Sequence, residues 1–141
     1  PEAPMLSGLD EELIEAARAL IRARFRAGWH EVGCALRVRG GKVYTGVNVD
    51  CSVGRIAVCA EAIAIGRAAT DGDWDRIETI VAVKQDSVGQ ARAGVIFPCG
   101  MCREMIGDYA PRARIIVPGA RGPRLADLAE LLPRRSAGGG K

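Results

Sequence analysis

Val58-Cys59-Ala60-Glu61 and, forty positions later, Pro98-Cys99-Gly100-Met101-Cys102 are the stretches whose reading decides the fold. Each opens a run with helical spacing, from Ala57 to Ala69 and from Cys99 to Tyr109. Cys99 and Cys102 are three residues apart and so share one helix face. A helix N-terminus favours an anion and lowers the pKa of a thiol. Three thiolates can fill three corners of a tetrahedral zinc site and leave the fourth to water, the open position of a catalytic centre. Glu61 stands two residues after Cys59, where an acid can take a proton from that water and pass it on.

Taken singly, these residues have other readings. Cys59 is also a small apolar residue on an Ala-rich helix. Cys99 and Cys102 also read as a dithiol redox pair, and Glu61 as an ion-pair partner on a solvated face. A structural zinc site is a further alternative, with Cys51 as the fourth ligand that a closed site requires. Ala60, Ala62 and Ile63 make a poorly solvated setting in which a stray carboxylate is costly. A metal site with an adjacent acid accounts for both segments together. The single histidine, His30, is not two residues before a Glu, which leaves Cys59, Cys99 and Cys102 as the candidate ligands of such a site.

Outward from these segments the pattern alternates. Ser7, followed by Asp10 and Glu11, reads as a helix start, and the helix runs from Leu9 to Ala27 with Gly28 as its end. Val32 to Arg39 and Lys42 to Val47 read as antiparallel strands joined at Gly40-Gly41. Asn48 to Ile56 is a loop. Ile77 to Lys84 is a continuous apolar strand, as expected when both faces are covered. Gln85 to Ala93 is a loop, Gly94 to Phe97 a short strand, Ala113 to Val117 another, and Leu125 to Leu132 a last short helix. The expected fold class is α/β: a three-layer α/β/α sandwich around a mixed sheet of about five strands. One domain over residues 1–135 is expected, with a flexible tail over 136–141.

The 141 residues suit one domain, and 48% apolar with 26% charged residues is a globular balance. A net charge of +3 with interleaved signs argues against nucleic-acid and membrane partners. The basic stretch from Arg112 to Arg124 reads as a solvated loop face. No apolar run is long enough to span a bilayer, and Pro1 to Gly8 lacks the pattern of a signal peptide. A cytoplasmic location is therefore expected, where five cysteines point to metal or catalysis rather than disulfides.

The chain resembles the small cytidine deaminases, with a secondary likeness to blasticidin S deaminase. The likeness rests on Val32-Gly33-Cys34-Ala35-Leu36, Gly46-Val47-Asn48-Val49 and Val58-Cys59-Ala60-Glu61. It continues through Pro98-Cys99-Gly100-Met101-Cys102-Arg103 to Glu130-Leu131-Leu132-Pro133. Zinc deaminases pair a His-x-Glu or Cys-x-Glu segment with Pro-Cys-x-x-Cys. The resemblance implies one Zn2+ per subunit, a homotetramer (with a dimer as second choice), and hydrolysis of cytidine or deoxycytidine to the uridine product and ammonia. The alternative is a modified cytosine nucleoside of the blasticidin S kind, or another amino-heterocycle. Activated water would attack C4, while catalytic Glu61 would protonate N3 and later the departing ammonia.

The same resemblance places Asn48 at the ribose, Ala60 near the exocyclic group of the base, Asp50 where the family usually has Glu, and His30 where it often has Phe against the pyrimidine. Three further departures stand out. Cys51 replaces a frequent Asn. Ala62 replaces an Arg that steadies the thiolates, leaving helix N-termini and Arg55 or Arg103 to offset their charge. Arg134-Arg135-Ser136 follows Pro133 where an aromatic usually reaches a neighbouring subunit.

Overall fold

The computed structural model describes residues 5–90 and 92–134, so the expected tail over 136–141 lies outside the described residues. Helix α1 spans Gly8–Arg24. Ser7 caps it through a reciprocal box: the Ser7 hydroxyl accepts from the Asp10 N–H at 3.1 Å, and the Asp10 carboxylate accepts from the Ser7 N–H at 2.9 Å. Strands β1 (Val32–Val38) and β2 (Val43–Val47) form the expected hairpin. Then come α2 (Ala60–Thr70), β3 (Ile77–Lys84), β4 (Gly94–Ile96), α3 (Gly100–Tyr109), β5 (Arg114–Val117), β6 (Arg124–Asp127) and α4 (Leu128–Leu131).

The strands form one mixed sheet in the order β2-β1-β3-β5-β6, with β4 also paired to β3. It has six strands rather than five. On one edge β3 pairs with β1 along its length. On the other edge it is shared: Thr79 to Val81 run parallel to β5, and Ala82 to Lys84 run antiparallel to β4. The sheet therefore forks at the carboxyl end of β3, and β4 leaves the fork directly into Pro98-Cys99.

Alternation along the strands divides two apolar cores. Cys34, Leu36, Ile80, Ile115 and Val117 pack with Ala64 and Ala68 of α2, Ile106 of α3 and Leu128 and Leu131 of α4. Ala35, Val81, Val83 and Ile116 face Leu13, Ile14, Ala17 and Ile21 of α1. With helices on both faces, β3 is buried from Thr79 to Val83, which explains its unbroken apolar run. Two strand glycines set the layer spacing. A Cβ on Gly33 would lie 2.8 Å from the Ala17 carbonyl of α1, and one on Gly46 would lie 2.7 Å from the Ala64 nitrogen and 2.9 Å from the Ala60 carbonyl of α2.

Three expectations change. The first helix stops at Arg24, and Phe25 is extended. Gly28, at φ 78°, serves a turn closed by paired backbone hydrogen bonds between Arg26 and His30. The second helix begins at Ala60, with Cys59 as its cap. The segment read as a terminal helix is half strand: Arg124–Asp127 pairs antiparallel with β5, and only Leu128–Leu131 is helical. Its apolar positions suit a helix, but the open edge of β5 offers backbone partners, and Leu125 and Ala126 then fill opposite cores. Among the described residues no helix is long and apolar enough to cross a membrane.

The Gly46 contact makes a direct prediction. Gly46→Val should push α2 away from the hairpin and destabilise the protein by about 1–3 kcal/mol. Thermal denaturation should show a midpoint several degrees lower; an unchanged midpoint would mean that the layers yield without cost.

Candidate active site

Cys59 is the N-cap of α2 and Cys99 the N-cap of α3, and neither side chain caps its own helix. Both sulfurs are instead turned toward each other. Cys59 Sγ lies 3.5 Å from Cys99 Sγ, which lies 3.5 Å from Cys102 Sγ. All three sulfurs fall within 4.8 Å of one another. Tetrahedral zinc with Zn–S bonds of ~2.3 Å requires sulfurs about 3.8 Å apart, so the donor set fits that metal. Cys51 is not in this group; its sulfur faces the Ile56 carbonyl at 3.9 Å, which leaves three protein ligands rather than four.

The electrostatics point the same way. Burial pushes the Cys59 thiol above its ordinary value and the Cys102 thiol far above it. Cys99 goes down: burial opposes its ionisation, but the Cys102 N–H and the two neighbouring thiols donate to its sulfur and outweigh that. A second and third thiolate in this volume need a cation to balance them.

Glu61 sits in the first turn of α2 and is 5% exposed. Burial raises its carboxyl above the usual range, partly offset by hydrogen bonds from its own N–H and the Cys102 thiol. It also contacts the apolar side chains around the sheet fork, among them Ile80, Pro98, Ile106 and Ile115. A carboxyl held near the sulfurs with its proton affinity raised can accept and return a proton. Cys34 is fully buried, with its thiol raised first by burial and then by the charge of Glu61, and it is not in the sulfur group.

An open cavity of about 290 Å³ adjoins the sulfurs. Cys59, Ala60, Glu61 and Cys99 form its reactive end, while Val32, Val58, Ile96 and Phe97 give it apolar walls. Asn48 and Asp50 also line it. Asn48 is largely occupied by backbone. Its Oδ1 accepts from the N–H groups of Glu31 (2.9 Å) and Val32 (3.0 Å), and its Nδ2 donates to the Trp29 carbonyl at 3.2 Å. One amide N–H is left for a ligand. His30 is not among the lining residues; its Nδ1 lies 2.8 Å from the Asn48 carbonyl. The aromatic residue that does line the cavity is Phe97, 46% exposed, with the Arg103 guanidinium 5.9 Å from its ring centre.

Arg103 is neither a loose surface charge nor seen bonded to a sulfur. It donates to the carbonyls of Pro98 and Leu131, both at 2.8 Å, and so ties the Cys99 turn to α4. Arg55 is exposed on a short turn and does not line the cavity. Sequence reasoning passed over Phe97 and the clamping roles of Asn48 and Arg103. The position of Phe97 directly before Pro98-Cys99 was a usable signal, whereas nothing in the sequence announces the clamps.

The family profile described as "Cytidine and deoxycytidylate deaminase zinc-binding region" matches residues 7–117. The chain is 42% identical over 115 residues to the blasticidin-S deaminase of Bacillus cereus, covering 79% of this chain and 81% of that one. It is 31% identical over 100 residues to the cytidine deaminase of Sporosarcina psychrophila, covering 70% and 68%. Among solved structures, the cytidine deaminase of Burkholderia pseudomallei superposes with a TM-score of 0.74 at 27% identity, covering 93% of this chain and 100% of that one. That of Mycobacterium leprae gives 0.69 at 28%, covering 88% and 97%. With its fold, its three-sulfur cluster and these matches agreeing, the chain belongs to the zinc-binding cytidine and deoxycytidylate deaminase family.

Proposed function

We propose that this deaminase acts on a modified cytosine nucleoside of the blasticidin S kind in preference to cytidine. The observation that carries this reading is the 42% identity to the blasticidin-S deaminase, spread over 115 residues, against 31% over 100 residues for the Sporosarcina psychrophila cytidine deaminase. Cytidine and deoxycytidine remain the second reading, favoured by the superposition on cytidine deaminases.

Cys59, Cys99 and Cys102 would hold one zinc per chain. When bound, the metal supplies a water acidic enough to serve as nucleophile near neutral pH. Glu61 would take one proton from the incoming water and deliver it to N3 of the pyrimidine, then take the second from the new C4 hydroxyl and deliver it to the amine as that leaves, so that the C4–N bond breaks and the C4 carbonyl forms. Water and the amino-pyrimidine thus become the oxo-pyrimidine and ammonia. Val58, Ile96 and Phe97 exclude bulk water from the ring, and Ala60 leaves room for the exocyclic group at the buried end. Asn48 and Asp50 face the sugar. The exposed apolar side chains of Val49, Val53, Ile56 and Met101 support association of copies, a homotetramer first and a dimer second.

Three outcomes follow from this assignment. Cys99→Ala or Cys102→Ala should abolish zinc binding measured by metal analysis, while Cys34→Ala keeps about one zinc per chain; retention of full zinc by the first two variants would contradict the ligand set. Glu61→Gln should keep its zinc and assembly but lose at least about a thousandfold in turnover; retaining more than about a tenth of the parent rate would assign the proton shuttle elsewhere. In an ammonia-release assay, blasticidin S should be turned over with a kcat/KM at least about tenfold above that of cytidine, and the reverse order would restore the cytidine reading.

A further inference from the structure

Arg103 stands on α3 one residue after Cys102, and its guanidinium meets three separate segments. Nε donates to the Pro98 carbonyl at 2.8 Å and Nη1 to the Leu131 carbonyl at 2.8 Å, while the guanidinium carbon lies 5.9 Å from the centre of the Phe97 ring. The Arg103 backbone N–H donates to the Cys99 carbonyl at 2.9 Å, where the helix ladder begins. The Pro98 carbonyl precedes that ladder, and Leu131 is the last residue of α4, where carbonyls lack partners within the helix. The Arg103 side chain gives each of them a donor. Phe97, Pro98 and Cys99 are consecutive, so one set of contacts holds a wall residue of the cavity and a sulfur of the cluster together.

We propose that Arg103 is a positioning residue for the deamination: its planar fork sets the turn that carries Phe97 and Cys99, with α4 as the anchor. This rests on the cytosine-nucleoside reading above and concerns how the site of that reaction is held. The competing role for this cation is to offset the charge of three thiolates at a distance. The contacts separate the two roles. Charge alone has no directional requirement, whereas Nε and Nη1 are committed to carbonyls in two different parts of the chain. A guanidinium presents its donors in a rigid plane and stacks on aromatic faces. The ammonium of Lys, on a flexible stem, keeps the charge and loses the fork. Groups that orient a metal's ligands typically contribute about 10- to 100-fold to metal affinity or activity. Freeing this turn lets Cys99 and Phe97 shift as one, which weakens the hold on the metal and the packing of Phe97 on the substrate in the same step. Through Leu131, α4 bears on the metal turn although it supplies no residue to the cavity lining.

The test compares the parent enzyme with Arg103→Lys, Arg103→Met, Phe97→Leu and the double variant Arg103→Met, Phe97→Leu. Zinc affinity is read by competition with a chromophoric chelator. Ammonia release gives kcat and KM for whichever of blasticidin S and cytidine the parent deaminates faster. Arg103→Lys and Arg103→Met should each weaken zinc binding at least about tenfold. Phe97→Leu should raise KM about fivefold, as the loss of one aromatic contact allows, with zinc affinity unchanged. In the Arg103→Met background the same change should raise KM less than about twofold, because residues that act through one contact are not additive. A merely structural Arg103 would lower the thermal midpoint and leave zinc affinity and the Phe97→Leu effect as in the parent, and that result overturns the proposal. Parental zinc affinity in Arg103→Lys also overturns it, since charge would then suffice. If neither Arg103 variant folds, the parent decides: its Arg103 Nε–H, followed by heteronuclear NMR, should exchange slowly with solvent, and fast exchange overturns the proposal. Zinc affinity and exchange are read without turnover. Failure of the parent to deaminate any cytosine nucleoside, blasticidin S included, would instead overturn the reading beneath it.

Discussion

The structure depends on holding three sulfurs, from two helix starts, at a spacing that thiolates alone would resist. Cys59 and Cys99 are the last extended residues before α2 and α3, and they meet only because both helices lie on the same face of the sheet. Two features bring this about. Gly46 allows α2 to rest on backbone atoms of β2, and the fork at β3 sends β4 into the Pro98-Cys99 turn. The fork occurs at the carboxyl end of a parallel pair, where open α/β sheets commonly place ligands. Arg103 then fixes the turn by bonding Pro98 and Leu131 across to α4. The helices also direct their N-termini at the sulfurs, so backbone dipoles contribute positive potential where Ala62 offers no side-chain charge.

Much of this was legible in the sequence because it rests on local rules. Periodicity found α1, the hairpin, α2, β3 and α3, and the spacing of Cys59, Cys99 and Cys102 identified the sulfurs that the fold brings together. Ser7 and Asp10 were readable as a cap because capping is a contact between near neighbours. The misreadings arise where long-range partners decide. Arg124–Asp127 carries a helical pattern but takes the open edge of β5. The first helix ends at Arg24 because the turn over residues 26–30 is claimed by Asn48, eighteen positions from His30 in sequence. Asn48, which the resemblance places at the sugar, does line the cavity, and its side-chain oxygen has a second task that no local pattern announces, accepting from the backbone of Glu31 and Val32. His30 is drawn into the same clamp, so the cavity has its aromatic surface at Phe97 instead.

These placements separate the chemistry from the selection of substrate. Sulfurs and Glu61 lie at the reactive end of the cavity, held by α2, α3 and the sheet, within the span that matches the family profile. The rest of the lining comes largely from Asn48, Asp50, Ala57, Val58 and Phe97, outside the helices and the named strands, where side chains change with less disturbance to a core. The departure at Asp50 falls there, and Cys51 follows it directly in the chain. A reaction kept constant at the floor with a variable mouth is how one fold serves several amino-bearing heterocycles.

The central claim is a metal held by three sulfurs with one position open beside a buried acid. X-ray absorption at the zinc edge of the purified protein tests it most directly. The account predicts three sulfur neighbours at ~2.3 Å and one oxygen or nitrogen neighbour at ~2.0–2.2 Å. Four sulfur neighbours would mean that Cys51 closes the site as a structural centre, and would contradict the account at its base.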